Sequence, residues 1–155
     1  MTQNIEKGVN APHFDLPTNA GGQAKLADYT GRWLVLYFYP KDDTPGCTKE
    51  ALAFTELSAS FDLAGADILG ISKDTPVKHD KFITKHDLNI RLASDEDGTI
   101  CEAYGVWVEK NMYGRKYMGI ERATFLISPD SKIEHVWRKV KVASHAEDVL
   151  ATLKT

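Results

Sequence analysis

Residues 33–39 form the longest uninterrupted apolar run, Trp-Leu-Val-Leu-Tyr-Phe-Tyr, and they constrain the fold more than any other stretch. Gly31 and Pro40 delimit this run. A continuous apolar run of this length is typical of a strand that is buried on both faces of a sheet. The sequence therefore predicts a central strand that ends at a polar loop beginning with Pro40.

The polar loop leads into a predicted helix. Thr44 is a favoured N-cap residue, and Pro45 follows at a position where its missing N–H carries no penalty. Residues 49–57 have high helix propensity. Cys47 then lies in the first helical turn and shares an apolar stripe with Ala51, Phe54 and Phe61. We therefore expect the Cys47 sulfur to face the body of the protein.

This position suits a reactive thiol. The N–H groups of a first helical turn and the positive end of the helix dipole favour a thiolate, and a nearby cation strengthens the effect. A lone cysteine is more commonly a small apolar core residue. We favour the reactive role for Cys47, because a loop with two prolines is an unusual location for a packing residue.

The composition is that of one ordinary globular domain, which we predict over residues 1–155. The 155 residues, 43% of them hydrophobic, can bury a core without cross-links. A net charge of −3 with interspersed signs indicates no surface for nucleic acid or membrane lipid. The longest apolar run is far shorter than the roughly 20 residues that span a bilayer. Residues 1–7 are polar without a signal-peptide pattern, and the two cysteines lie far apart, so we expect a cytoplasmic protein.

The remaining sequence alternates predicted strands and helices. A short strand and hairpin are predicted over 13–26, a hairpin around Gly114, and strands over 66–72, 91–93, 123–128 and 132–140. Helices are predicted from the Cys47 loop to Gly65, over 76–87, up to Tyr104 and at the carboxyl end. In the second of these helices we expect the sheet-facing residues to be Val77, Phe82 and Ile83. The last helix is expected to begin with a Ser144–Glu147 capping box and to bury Ala146, Val149, Leu150 and Leu153. This order predicts a mixed α/β fold.

The loop resembles the active-site signature of the peroxiredoxins. That signature, Pro-x-x-x-Thr-x-x-Cys, is present as Pro40, Thr44 and Cys47, and Glu50 follows three residues later. The longer string over 37–50, Tyr-Phe-Tyr-Pro-Lys-Asp-Asp-Thr-Pro-Gly-Cys-Thr-Lys-Glu, is similar to the bacterioferritin-comigratory, Q-type branch. The resemblance covers nearly the whole chain, including residues 31–32, 104–107 and 121–127.

The resemblance implies a thioredoxin-like fold, with a central mixed sheet flanked by helices, and a thiol-dependent peroxidase that serves antioxidant defence. Cys47 would attack hydrogen peroxide or an organic hydroperoxide and become a sulfenic acid. Arg122 opens an otherwise apolar strand, and the resemblance implies that it activates both thiolate and substrate. From the residues alone, Arg122 could equally be a strand-end side chain that reaches solvent.

The resemblance also implies roles for other parts of the loop. Thr44 would offer its hydroxyl to the thiolate or the substrate oxygen while also capping the helix. The N–H groups of Gly46 and Cys47 would point toward the developing charge, and Pro40 would shape the loop without reacting. Glu50 either bonds to the loop backbone or pairs with a cation. We expect no chemical role for Glu50, because a carboxylate near the sulfur disfavours the thiolate.

The second cysteine departs from the family pattern. Many Q-type members carry a resolving cysteine five residues after the reactive one, where this chain has Leu52, and others carry it near the position of Phe82 and Ile83. Cys101 is predicted to pack in the core from a short helix, with trapping of the sulfenic acid as the alternative. We therefore expect a single-cysteine mechanism in which thioredoxin or a glutaredoxin-type dithiol reduces Cys47.

Other functions have less support in the sequence. A disulfide oxidoreductase would need a Cys-x-x-Cys motif, which is absent, whereas a non-enzymatic redox sensor or holdase using Cys47 is the alternative. The five histidines form no ligand pattern, and no phosphate-binding glycine motif occurs, so we expect neither a metal nor a cofactor. The resemblance favours a monomer.

Overall fold

A five-stranded mixed sheet lies at the centre of the protein in the computed structural model, which describes residues 5–155. Residues 1–4, which carry part of the signal-peptide prediction, lie outside the described range. The strands are β1 (Asp15–Pro17), β2 (Gln23–Lys25), β3 (Trp33–Phe38), β4 (Ala66–Ser72), β5 (Arg91–Ser94), β6 (Trp107–Met112), β7 (Arg115–Ile120), β8 (Ala123–Ile127) and β9 (Ile133–Trp137). The central sheet has the order β5-β4-β3-β8-β9, and β1–β2 and β6–β7 form separate antiparallel pairs.

Helices cover both faces of this sheet. They are α1 (Pro45–Glu56), α2 (Ser58–Leu63), α3 (Pro76–His86), α4 (Thr99–Ala103) and α5 (His145–Leu153). Strands β3, β4 and β5 are parallel, whereas β8 is antiparallel to both β3 and β9. The expectation of a mixed α/β fold is confirmed.

The side chains of β3 alternate between two separate cores. Val35 and Tyr37 belong to one core, together with α1, α3 and α5. Leu36 and Phe38 belong to the other core, together with α4 and the β1–β2 and β6–β7 pairs. Because successive strand residues point to opposite faces, this central strand separates the two cores.

The sheet register determines where the chain before β8 lies. In the antiparallel β3–β8 pair, Phe38 at the end of β3 faces Ala123 at the start of β8. Arg122, which directly precedes Ala123, is therefore next to the carboxyl end of β3. The loop that leads from β3 into α1 begins at the same edge.

Several predicted details are wrong. The helix predicted to run to Gly65 is interrupted at Leu57, where the backbone leaves helical geometry and α2 begins. The last strand ends at Trp137 instead of continuing to residue 140. Val77 is 62% exposed, and the inner face of α3 instead carries His79 with Phe82.

The predicted capping box of α5 is also wrong. Ser144 has a left-handed backbone (φ 61°), and this geometry differs from the extended N-cap on which a capping box depends. The apolar stripe of this helix is confirmed, since Ala146 and Val149 are buried in the same core as α1. Among residues 5–155, no helix combines the length and apolar character needed to cross a bilayer.

Candidate active site

Cys47 lies in the first turn of α1, the helix that follows the central strand β3 and its loop. The helix begins at Pro45, so Cys47 is its third residue. Its side chain is buried, as are those of the predicted stripe residues Ala51, Phe54 and Phe61. The sulfur therefore faces inward, as expected, at the edge of the core that contains α1, α3 and α5.

The guanidinium of Arg122 joins two acidic groups of α1. Its Nη2 donates to Cys47 Sγ at 3.3 Å, and its Nη1 donates to Glu50 Oε1 at 2.7 Å. Both acceptors lie on the inner face of α1, one helical turn apart. The fixed fork of an arginine can serve two acceptors at once, which a lysine ammonium does with less geometric control.

Gly46 gives Arg122 room for this contact. A Cβ atom placed at Gly46 would lie 3.2 Å from Arg122 Nη2, which is closer than nearly all real Cβ contacts. The absence of a side chain at Gly46 therefore permits the guanidinium to approach the helix start.

Glu50 is buried beneath the site. Its side chain is 1% exposed, and burial raises its pKa to about 7 although Arg122 opposes this change. Within residues 5–155, neither Glu50 Oε2 nor the nearby Tyr37 hydroxyl has a hydrogen-bond partner. Burial, followed by the charge of Glu50, raises the pKa of Tyr37 well above its usual value. Of the two alternatives for Glu50, pairing with a cation is the one observed.

The Thr44 hydroxyl does not cap α1 as predicted. Thr44 occupies the N-cap position, but its Oγ1 donates to Lys41 O at 2.9 Å across the loop. The N–H groups of Gly46 and Cys47 belong to the first helical turn, whose donors lack intrahelical partners. Pro40 is half-buried and connects β3 to the loop. The helix start therefore presents the N–H groups of Gly46 and Cys47 in the same turn as the sulfur.

Lys110 of β6 is a further cation, and it lies close enough to Arg122 and Cys47 to interact with their charges. Partial burial, followed by repulsion from Arg122, lowers the pKa of Lys110, while Cys47 and Glu121 act in the opposite direction. The β6–β7 hairpin therefore contributes charge to the surroundings of Cys47.

The loop over residues 40–44 is anchored by buried polar groups that the sequence analysis did not identify. Asp42 Oδ2 lies 2.7 Å from His79 Nδ1, and Asp42 Oδ1 accepts from the Tyr39 hydroxyl at 2.5 Å. The backbone N–H of Asp42 donates to Asp74 Oδ2 at 2.8 Å. The available signal was the spacing of His79 three and four residues before Phe82 and Ile83, which places it on the same face of α3.

Cys101 lies in the other core. It belongs to the cluster that contains Leu36 and Phe38, on the sheet face opposite to Cys47. Its backbone N–H donates to Asp95 Oδ2 at 2.7 Å. Burial, followed by the charge of Asp95, raises the pKa of the Cys101 thiol far above its usual value. The expected packing of this residue in the core agrees with its complete burial.

Residues 5–155 contain no group of three or more histidine, cysteine, aspartate or glutamate side chains arranged to hold a metal ion.

Known proteins resemble this chain over nearly its full length. Residues 8–136 match the AhpC/TSA family. Peroxiredoxin Bcp of Xanthomonas campestris pv. campestris is 53% identical over 146 residues, which cover 93% of this chain and 91% of that protein.

Two solved structures show the same architecture. The Xanthomonas campestris bacterioferritin comigratory protein, studied for alkyl peroxide reduction in trapped intermediate and ligand complexes, has a TM-score of 0.87 at 51% identity, with 91% of this chain and 90% of that chain covered. A cysteine-to-serine mutant of Xylella fastidiosa PrxQ has a TM-score of 0.93 at 43% identity, with 98% and 97% covered. These matches confirm the thioredoxin-like fold. The chain therefore belongs to the AhpC/TSA family and, within it, to the bacterioferritin-comigratory, Q-type peroxiredoxins, which are thiol-dependent peroxidases.

Proposed function

We propose that Cys47 is the nucleophile that reduces hydrogen peroxide and organic hydroperoxides in this chain. The observation that carries the proposal is the contact of Arg122 Nη2 with Cys47 Sγ at 3.3 Å, in the first turn of α1. A permanent cation and the positive end of a helix together favour the thiolate, which is the nucleophilic form of cysteine.

The reaction transfers one oxygen atom to sulfur. The Cys47 thiolate attacks the terminal oxygen of the hydroperoxide, an S–O bond forms and the O–O bond breaks. The sulfur is oxidised by two electrons to a sulfenic acid, and the peroxide is reduced to water or an alcohol. The attacked oxygen keeps its proton, which gives a neutral sulfenic acid. A proton from solvent neutralises the departing hydroxide or alkoxide.

The proposed site consists of Arg122 and four groups of the loop and helix start, and each of them assists this step. The N–H groups of Gly46 and Cys47 point from the helix start toward the place where negative charge develops. The Thr44 hydroxyl donates to Lys41 O, so its lone pairs are available to accept from the peroxide. Pro40 directs the loop across the sulfur, and the guanidinium of Arg122 serves both thiolate and peroxide oxygen.

The separation of the two cysteines supports a single-cysteine mechanism. A disulfide requires Cα atoms within roughly 7 Å and suitably directed side chains. Cys47 and Cys101 are buried in cores on opposite faces of the sheet, with β3 between them. The sulfenic acid at Cys47 is therefore reduced by an external dithiol, thioredoxin or a glutaredoxin-type protein, and Cys101 serves packing.

We further propose that the chain acts as a single-domain monomer in the cytoplasm, in antioxidant defence. The charge pattern of the sequence, with a net charge of −3, supports a role without nucleic acid or membrane lipid.

Stopped-flow kinetics test this function directly. The reduced protein is mixed with hydrogen peroxide or tert-butyl hydroperoxide, and peroxide loss is followed with and without a dithiol. Multiple turnovers are expected in the wild type, and Cys47→Ser is expected to remove them while the far-UV dichroism is unchanged. A redox sensor or holdase would consume one equivalent without turnover, and that result would reject the peroxidase assignment.

A further inference from the structure

Asp42 connects the active-site loop to the buried interior of the protein, whereas Asp43 of the same loop contacts Lys85 and His86 of α3. The Asp42 side chain is buried, although it lies in a loop between Pro40 and Thr44. Its carboxylate contacts the hydroxyl of Tyr39 and the ring of His79, and its backbone N–H contacts Asp74. Asp74 Oδ2 in turn accepts from Ser72 Oγ at 2.7 Å. The ends of β3 and β4 and the inner face of α3 therefore meet at this one loop residue.

His79 faces an oxygen acceptor with each of its ring nitrogens. Nε2 lies 3.0 Å from Ala93 O, and Nδ1 lies 2.7 Å from Asp42 Oδ2. A backbone carbonyl can only accept, so Nε2 carries a hydrogen. The short contact between Nδ1 and Oδ2 then requires one more proton, held between the ring and the carboxylate. Without it, two lone pairs would face each other at a fully buried side chain.

We propose that His79 is a positioning residue for the reaction at Cys47. The proton that His79 shares with Asp42 fixes the loop over residues 40–44, and the rate of peroxide reduction falls when this proton is lost. The inference rests on the proposed function, because it concerns the loop that presents Pro40, Thr44 and the start of α1 to the peroxide. Small displacements of such groups are expected to be costly, since a shift of about 1 Å can slow a reaction roughly 100-fold.

Other titratable groups surround the pair and must be distinguished from it. Tyr39 faces it from the end of β3, and burial raises the pKa of Tyr39 well above its usual value. Asp74 approaches from the segment after β4, and β5 contributes only the carbonyl of Ala93. The charged groups of the loop and of α3 near the same groove are Lys41, Asp43, Lys78, Lys81 and Lys85. These groove residues are exposed, whereas the side chains of His79 and Asp42 are buried.

Asp42→Asn is the most informative variant. The amide can donate to an unprotonated Nδ1 of His79, while its oxygen still accepts from Tyr39 and His79 still donates to Ala93. Every hydrogen bond is preserved, but the shared proton is no longer needed. We measure the second-order rate constant for tert-butyl hydroperoxide by stopped flow between about pH 6 and about pH 10. The wild type is expected to lose rate as the pH rises, and Asp42→Asn is expected to keep its neutral-pH rate across this range.

Three further variants separate positioning from other causes. His79→Phe fills the space without hydrogen bonds and is expected to slow the reaction roughly 10- to 100-fold at neutral pH. His86→Gln removes a half-buried histidine of α3 that contacts Asp43 of the same loop at 2.8 Å, and it should retain the wild-type pH profile. Lys110→Met removes the lysine whose pKa is lowered by partial burial and by Arg122, and the alkaline loss of rate should persist.

The outcomes are distinct. If the wild type does not react with the hydroperoxide, the proposed function fails. If it reacts but its rate is constant up to about pH 10, or if Asp42→Asn shows the same alkaline loss as the wild type, the role of His79 is rejected. Removal of the alkaline loss by Lys110→Met would also overturn it. Should His79→Phe not fold, the comparison of Asp42→Asn with the wild type still decides.

Discussion

Cys47 and Cys101 are both buried, yet they lie on opposite faces of the central sheet. The side chains of β3 alternate between the two cores, so the strand itself stands between the thiols. Joining them would require the sheet or both helices to open, which would expose many buried aromatic side chains. This arrangement determines what oxidation can produce in an isolated molecule.

Oxidation with one equivalent of peroxide is expected to modify Cys47 alone. Intact-mass analysis of the wild type should find a sulfenic acid, or its adduct with an added trapping reagent, and no internal disulfide. Cys101→Ala should keep turnover with an external dithiol within about twofold, because it removes only a packing group. A monomer with a Cys47–Cys101 disulfide would contradict this expectation.

Replacement of Arg122 is expected to slow peroxide reduction strongly. Arg122→Met removes the donor to Cys47 Sγ and to the peroxide oxygen, and the loss of one such donor costs roughly 10²- to 10³-fold. Arg122→Lys keeps the charge without the fork, so we expect an intermediate rate. Single-turnover stopped flow provides the measurement. Arg115→Met, at an exposed position of β7, is the matched control, and an equal loss there would point to a general charge effect.

Gly46→Ala is expected to favour the helical state of α1 and to make the protein less active. Alanine raises helix propensity by up to about 1 kcal/mol over glycine, which favours α1. Its Cβ would stand 3.2 Å from Arg122 Nη2 and displace the guanidinium from the sulfur. Thermal unfolding and single-turnover kinetics on the same preparation measure both effects. A variant as active as the wild type would show that the guanidinium tolerates the methyl group.

Glu50 is expected to make the folded state lose stability as the pH rises. Burial raises its pKa from 4.5 to about 7, so between these values the folded protein holds a proton that the unfolded chain has released. Stability is then present at low pH and decreases as the pH rises toward about 7. Urea unfolding should find that the wild type loses about 1–3 kcal/mol relative to Glu50→Gln between pH 5 and pH 8. Parallel stability curves for the two proteins would contradict the buried, proton-bearing carboxyl.

The main elements of the fold could be predicted because their local signals agree. The apolar run over 33–39 has one reasonable solution, a buried strand, and Thr44-Pro45 marks the helix start that places Cys47. The Arg122 contact follows from no local pattern. It depends on the antiparallel pairing of β8 with β3, which was available only through the family resemblance.

The errors concern residues whose surroundings come from distant parts of the chain. Val77 is apolar but exposed, whereas His79 is polar and buried, because Asp42 and Ala93 supply acceptors for both ring nitrogens. Thr44 has a suitable N-cap side chain, but the carbonyl of Lys41 accepts its hydrogen bond. Each of these partners is fixed by loop or sheet geometry that residue types alone do not specify.

The guanidinium that contacts Cys47 comes from a residue 75 positions further along the chain. During synthesis Cys47 leaves the ribosome well before Arg122 is made, and the two meet only when β8 pairs with β3. Until then the thiol lacks both its cation and the docked helix that holds it. In nascent and partly unfolded chains the Cys47 thiol is therefore less reactive toward peroxide. This lower reactivity limits oxidation of the chain before the active site has formed.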